Sequence, residues 1–439
     1  MTQPNDRNFR QSARLYERAL LTIPLASQTF SKAAMSTVEG AAPLFLDRGD
    51  GGRVWDVDGN SYIDYVLGLL PVVLGYRDPD VDDAIRTQLD RGITFSLATE
   101  LEPELAERLV ELVPCAEMAR FGKNGSDATS AAIRLARAYT GRDRVAVAGY
   151  HGWHDWYIGT TARHLGVPQA VRDLSVTFPF NDADALERLL RADPDGFAAV
   201  ILEPMALDAP QPGFLEAVRE ICDRFGVVLV FDEIITGFRI HLGGAQSAFG
   251  VTPDLAAFGK AMGNGMPISA IVGRREIMRL MEDIFFSGTF GGETLSLAAA
   301  IATIDKLRAQ DGPRVLATLG QRLKSGIGAQ INEKGLSGEL MVKGGDWWPA
   351  VVATGQGRAE ASIVGSLLKQ ELIARGVLMG PTFNLCLSHA ADGVLDETLQ
   401  AFDRALATVA DALEAGNPAG RLRGKPMRPV FQVRSASGS

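Results

Sequence analysis

The sequence predicts an α/β protein with a large domain built on a mostly parallel sheet and a second, smaller α+β domain. Three observations carry this expectation. From residue 117 to 310, short apolar runs alternate with helical patterns. The runs are largely apolar, as strands covered on both faces are, and they end in Gly, Asp or Glu. After 310 the order changes, and helices enclose short strands.

In chain order, residues 9–21 show an amphipathic helical period. Segments 53–57 and 61–66 flank Asp58-Gly59-Asn60, a hairpin signal. Helical patterns follow at 80–91 and 102–113. The apolar runs of the large domain are 118–121, 145–148, 197–202, 227–231, 255–258 and 269–272, and helices between them include 127–140 and 213–225. Beyond 310, helices at 314–333, 361–375 and 394–414 enclose strands at 338–343, 349–353 and 384–388. The tail, 416–439, is rich in Gly, Pro, Arg and Ser and reads as a surface wrap or as disorder. The expected domains are an N-terminal segment, 1–66, packing with the small domain; a large domain, 67–310; and a C-terminal small domain, 311–439.

Length and composition agree with this plan. The 439 residues suit two or three domains of roughly 100–200 residues. Hydrophobic residues make up 46% and charged residues 22%, as in soluble globular proteins. Lysine and arginine number 44 against 53 acidic residues, a net charge of −9, which argues against nucleic-acid or anionic-membrane partners. Cys115, Cys222 and Cys386 are far apart, which excludes a disulfide scaffold and a thiolate zinc site and fits a reduced, cytoplasmic setting. Residues 1–18 lack an apolar core, so no signal peptide is expected. No apolar run approaches the ~18 residues a membrane span needs. The five histidines form no ligand motif, so no metal is expected.

In an open parallel sheet, ligands sit at the carboxyl ends of strands. One run there ends in Asp232-Glu233, and a carboxylate after a buried strand needs a partner. Another ends in Glu203-Pro204. Lys260 lies between the 255–258 run and a Gly-rich loop. In a partly dry pocket such a lysine loses its solvation as a cation and becomes an amine able to form a Schiff base. Gly122-Lys123-Asn124-Gly125-Ser126-Asp127 joins a strand to a helix, a place where free amides and the helix dipole suit a phosphate. An ordinary strand–helix turn with Ser126 as its N-cap is the equal alternative. It is not a Walker A loop, and no GxGxxG follows a strand, so ATP and nicotinamide readings lose support. Tyr150 follows the 145–148 run, where an aromatic can stack on a planar ring.

Pyridoxal 5′-phosphate requires this set together: a Schiff-base lysine, a carboxylate for its pyridine nitrogen, an aromatic stack and a phosphate cup. The order also resembles the class III aminotransferases among the fold-type I pyridoxal-phosphate enzymes, in the branch like glutamate-1-semialdehyde 2,1-aminomutase. The resemblance covers about 15–415. It rests on Val54-Trp55-Asp56-Val57-Asp58-Gly59-Asn60, Asn124-Gly125-Ser126-Asp127-Ala128, Tyr150-His151-Gly152, Leu202-Glu203-Pro204, Phe231-Asp232-Glu233-Ile234-Ile235-Thr236-Gly237-Phe238-Arg239, Gly259-Lys260 and Ser287-Gly288-Thr289-Phe290-Gly291-Gly292.

The resemblance implies a fold-type I transferase with a seven-stranded sheet in its large domain. It implies Lys260 as the Schiff-base lysine and Asp232 as the partner of the pyridinium nitrogen. Ile234 would pack the ring face opposite Tyr150, with Glu203 beside the cofactor. Gly125 and Ser126 would hold the phosphate, and Thr289 would add a contact across a homodimer with shared active sites. Two departures concern substrate. Gln28 stands where the aminomutase has an arginine for the substrate carboxylate. Pro381-Thr382-Phe383-Asn384-Leu385-Cys386 lacks the aminomutase's glutamate. Both remove charge, which favours an uncharged acceptor. The expected activity is therefore amino transfer between a small-molecule donor and an aldehyde or ketone of a sugar or polyol-like metabolite. The alternatives are the aminomutase or another pyridoxal-phosphate isomerase, and, last, a non-catalytic binding protein on this fold. Gln28, His151, Trp153 and Asn384 are the candidates for touching substrate.

Overall fold

The computed structural model describes residues 7–428. They divide into two compact units, one of 7–69, Leu74–Asp78 and 315–428, the other of Leu70–Val73 and Pro79–Arg314.

A seven-stranded sheet organises the second unit. Its strands are β1 (Met118–Gly122), β2 (Arg144–Ala148), β3 (Ser175–Thr177), β4 (Phe197–Leu202), β5 (Val228–Asp232), β6 (Leu255–Phe258) and β7 (Ser269–Gly273). Side by side they run β1-β7-β6-β5-β4-β2-β3. Strands β3, β2, β4, β5 and β6 pair in parallel, and β7 is antiparallel to both β6 and β1. Every residue of β4, β5, β6 and β7 is buried, which explains their continuous apolar runs. The helix Gly125–Thr140 lays Ala128, Ala131, Ala132 and Leu135 against one sheet face, where Val147, Ala199, Ile201, Val230 and Ala257 complete the core. Small side chains let the helix approach closely, which fixes where its N-terminus meets the strand ends.

β3 gave no apolar run because it has three residues, two of them Ser175 and Thr177, at the sheet edge. Helix Thr294–Ala309 also escaped the periodic pattern: it buries small or apolar residues over much of its circumference, including Ala298, Ala299 and Ala300, so no polar face marks it.

In the first unit, Leu46–Asp50, Arg53–Asp56 and Ser61–Asp64 form an antiparallel meander. Val377–Leu378 joins it in parallel beside Ser61–Asp64. That corrects the expected strand at 384–388, which is irregular chain followed by a 3₁₀ turn, Leu387–Ala390. Its apolar residues are buried as single anchors rather than as a paired strand; Phe383, Leu385 and Cys386 are fully enclosed. The unit also holds the helix Arg10–Leu20, most of the helix Gly312–Glu333, a hairpin of Leu340–Lys343 and Ala350–Ala353, and the helices Ala361–Ala374 and Val394–Glu414. The described part of the tail lies along this unit, with Met427 N donating to Ser366 Oγ and Arg428 N to Met35 O; 429–439 lies outside the described residues. Among the described residues, no helix is long and apolar enough to cross a membrane.

Candidate active site

Asp232 is the last residue of β5 and is 4% exposed. Its Oδ1 accepts the amide N–H of Ile234 at 3.1 Å, and its Oδ2 lies 2.8 Å from His151 Nδ1. His151 Nε2 lies 3.1 Å from the Ala148 carbonyl oxygen. The imidazole is thus held between the Asp232 carboxylate and a backbone carbonyl.

Lys260 follows β6 across Gly259 and has a left-handed backbone, φ +39°. For a residue with a Cβ this conformation costs about 1–3 kcal/mol and recurs at functional sites. Burial lowers the pKa of its ammonium; Glu203 and Asp232 raise it and Arg239 lowers it further, and the net shift is downward. Arg239 is itself enclosed, and its Nη2 donates to the Leu70 carbonyl.

The turn before helix Gly125–Thr140 is built to leave amides open. Asp127 Oδ2 accepts the backbone N–H of Asn124 at 2.7 Å and of Lys123 at 3.0 Å. Gly125 and Ser126 are thus the first two helical residues, in the positions whose amides have no intrahelical acceptor. Asn124, not Ser126, caps the helix. A Cβ on Gly125 would sit 3.1 Å from Ile234 Cδ1, and one on Gly152 would sit 2.2 Å from Ser126 Oγ. Both glycines let neighbouring chain close over the cup.

Tyr150 N donates to Glu203 Oε2 at 2.8 Å, and its ring stands edge-on to Tyr157. Burial first, then the Asp232 charge, raises the Glu203 pKa; His151, the Tyr150 amide and Lys260 oppose it. Tyr150, Trp153, Glu203, Asp232, Ile234 and Lys260, with the 123–126 turn, line one cavity of about 370 Å³, within the ~300–1,000 Å³ usual for small-molecule sites. A buried amine, a backed carboxylate, an aromatic face and open helix-N-terminal amides fit pyridoxal phosphate at its aldehyde, ring nitrogen, ring face and phosphate.

A family model described as aminotransferase class-III matches residues 34–345. The chain belongs to the class III aminotransferase family. It is 39% identical over 412 residues to a 3-aminobutyryl-CoA aminotransferase of Cloacimonas acidaminovorans, covering 91% of this chain and 97% of that one. It is 37% identical over 405 residues to a glutamate-1-semialdehyde 2,1-aminomutase of Roseiflexus castenholzii, covering 86% and 93%. Among solved structures it is similar to the FumI protein of Sphingopyxis sp. MTA144 in its pyridoxal-phosphate internal aldimine form, with TM-score 0.87, 32% identity and coverage of 94% and 100%. The aminotransferase is a pyridoxal-phosphate enzyme of fold type I.

The aminotransferase brings together Gly125, Ser126, Tyr150, Trp153, Glu203, Asp232, Ile234 and Lys260 around the cavity. His151, expected in reach of substrate, has its side chain wholly enclosed and committed to Asp232 and Ala148. No sequence signal gives this, because residues 149–152 are irregular chain beyond β2, without the alternation of a strand. Thr289 is exposed in the irregular segment 287–293. Gln28 is exposed, between two short 3₁₀ turns of the first unit. Asn384, in the same unit, is buried: its Oδ1 accepts from Trp348 Nε1 at 2.8 Å and lies 3.0 Å from Thr382 Oγ1, while Nδ2 donates to the Val66 carbonyl at 2.8 Å. Sequence reading missed the Lys123–Glu293 ion pair at 2.9 Å, since 170 residues separate the two.

Proposed function

We propose that this aminotransferase moves an amino group between two molecules, and that the acceptor carries its aldehyde or ketone with no carboxylate near the cofactor. The charge of the cavity carries this reading. Among the described residues lining it, the basic ones are Lys123, His151 and Lys260. Lys123 is paired with Glu293 and His151 with Asp232, while burial favours the neutral amine of Lys260. A substrate carboxylate would meet no guanidinium fork there. Gln28 in place of an arginine supports the same conclusion. A sugar or polyol-like carbonyl fits this chemistry. A second reading, a 3-oxoacyl thioester, is supported by the relative named for 3-aminobutyryl-CoA. The aminomutase reading is supported by the relatives of that name.

In this reading Lys260 Nζ would hold the cofactor and, as a neutral amine, would take the proton from the substrate's amine-bearing carbon. Bound pyridoxal phosphate supplies the sink for the electrons left behind. Asp232, backed by His151, holds a proton at the ring nitrogen. Gly125 and Ser126 bind the phosphate, Tyr150 and Ile234 enclose the ring, and Glu203 positions Tyr150 through its amide. Thr289 is read as completing the phosphate site of a second copy in a homodimer; Phe285 and Phe290, 80% and 58% exposed beside it, support that. Three free, buried cysteines suit a cytoplasmic setting.

The test loads the enzyme with pyridoxamine phosphate and follows the visible absorbance as acceptors are added: glutamate 1-semialdehyde, keto- and aldehydo-sugars, and 3-oxobutyryl-CoA. A carboxylate-free acceptor should exceed the semialdehyde in kcat/KM by at least about tenfold, the equivalent of ~1.4 kcal/mol. Gln28→Arg should shift preference toward the carboxylate. Efficient production of 5-aminolevulinate by wild type, with no other acceptor used, overturns the proposal in favour of the aminomutase.

A further inference from the structure

The carboxylate that opens helix Thr294–Ala309 also holds the lysine that begins the phosphate turn. Glu293 Oε1 accepts the Leu295 amide at 2.7 Å. Its Oε2 accepts from Ser296 Oγ at 2.6 Å and from Lys123 Nζ at 2.9 Å. The two side chains are 17% and 12% exposed. Burial pushes the Glu293 carboxyl up, yet the Ser296 hydroxyl and Lys123 outweigh it and its pKa lies below the ordinary glutamate value. Lys123 is meanwhile fixed at its own amide by Asp127. One carboxylate thus ties the turn bearing Gly125 and Ser126 to the start of a 16-residue helix.

We propose that Lys123 and Glu293 form a latch that holds the phosphate cup. The inference rests on the reading of Gly125 and Ser126 as that cup. Glu293 offsets the lysine's charge, so the lysine acts as a tether and the amides meet the phosphate. An anion site at a helix N-terminus works only while its amides converge on one point. A poorly hydrated ion pair whose carboxylate has further hydrogen bonds resists separation, unlike an exposed pair. Lys123 and Glu293 are therefore positioning residues, acting on the cofactor's phosphate end alone.

The experiment titrates full-length, cofactor-stripped protein with pyridoxal phosphate and separately with pyridoxal, which lacks the phosphate, following tryptophan fluorescence. Lys123→Met should weaken pyridoxal phosphate by at least about tenfold and pyridoxal by less than about twofold, and Lys123→Arg should restore most of the loss. Glu293→Gln should weaken pyridoxal phosphate similarly, and the double variant no further, since both changes break one interaction. Equal losses for the two ligands, additive losses in the double variant, or tighter phosphate binding in Glu293→Gln each overturn the latch; the last would make Lys123 a direct phosphate ligand. Wild type that binds both ligands equally overturns the cup reading and the latch with it. Wild type with a strong preference that Lys123→Met retains overturns the latch alone.

Discussion

At Lys260 opposing effects act on one amine, and burial outweighs the two carboxylates. A lowered pKa gives a larger neutral fraction at a given pH, and the neutral form is both the nucleophile and the base. Lys260→Ala should therefore abolish turnover, and borohydride reduction of wild type followed by peptide mapping should find the cofactor on Lys260; label on another lysine would refute the assignment. The Asp232–His151 pair leads to a graded expectation. His151→Phe keeps a ring in the enclosed site but removes the donor to Asp232 Oδ2. A hydrogen bond to a charged group contributes ~1.5–3 kcal/mol, so kcat/KM should fall roughly 10–100-fold. Asp232→Asn, which removes the charge itself, should fall further. Steady-state kinetics on both variants checks the order, and an unchanged rate in His151→Phe would show that the carboxylate needs no backing. Asp232 and Lys260 were legible in sequence because each stands at or just past the end of a buried strand. The imidazole behind Asp232 was not, because only the packed strand ends determine which way the side chain after Tyr150 turns.

The elements that carry the site are strand ends and one helix N-terminus, and their fit depends on what fills the space between them. Gly125 opens the helix against Ile234, with the distance a Cβ would have to three of its carbons between 3.1 and 3.3 Å. Gly125→Ala should thus push the isoleucine or the turn by a few tenths of an ångström. Loss of amide convergence should weaken pyridoxal phosphate about tenfold, and adding Ile234→Val should recover part of it by removing a methyl group. Equilibrium titration of the three proteins decides; no recovery in the double variant would mean that the strain lies in the backbone. Strands β4 to β7 were readable because both faces are buried, which forces an unbroken apolar run. β3 sits at an edge with too few residues to show one, and 384–388 reads as a strand because Leu385 and Cys386 are buried, although it forms irregular chain and a 3₁₀ turn. Burial and strand pairing leave the same trace in so short a segment.

For the molecule as a whole, His389 in the first unit sets a pH limit. Burial pulls its pKa from the ordinary 6.5 to about 4. Between those values the unfolded chain binds the proton and the folded chain does not, so stability is full above pH 6.5 and is lost as pH falls toward 4. The shift corresponds to about 3 kcal/mol at the acid end. Urea unfolding of wild type and His389→Phe across that range should give a shallower dependence in the variant; parallel curves would exclude the histidine as the cause. By itself the sequence determined the fold class, the cofactor chemistry, and the places of Lys260, Asp232, Tyr150 and Gly125-Ser126. Strand burial and a helix start with open amides impose local patterns that a linear chain displays. Only the tertiary structure decided that His151 serves Asp232, that Asn384 is held by Trp348 and Val66, and that Lys123 meets Glu293. Each of these depends on side chains distant in sequence meeting in a space too dry to leave a charge or an amide without a partner, and a pattern along the chain records nothing of that meeting.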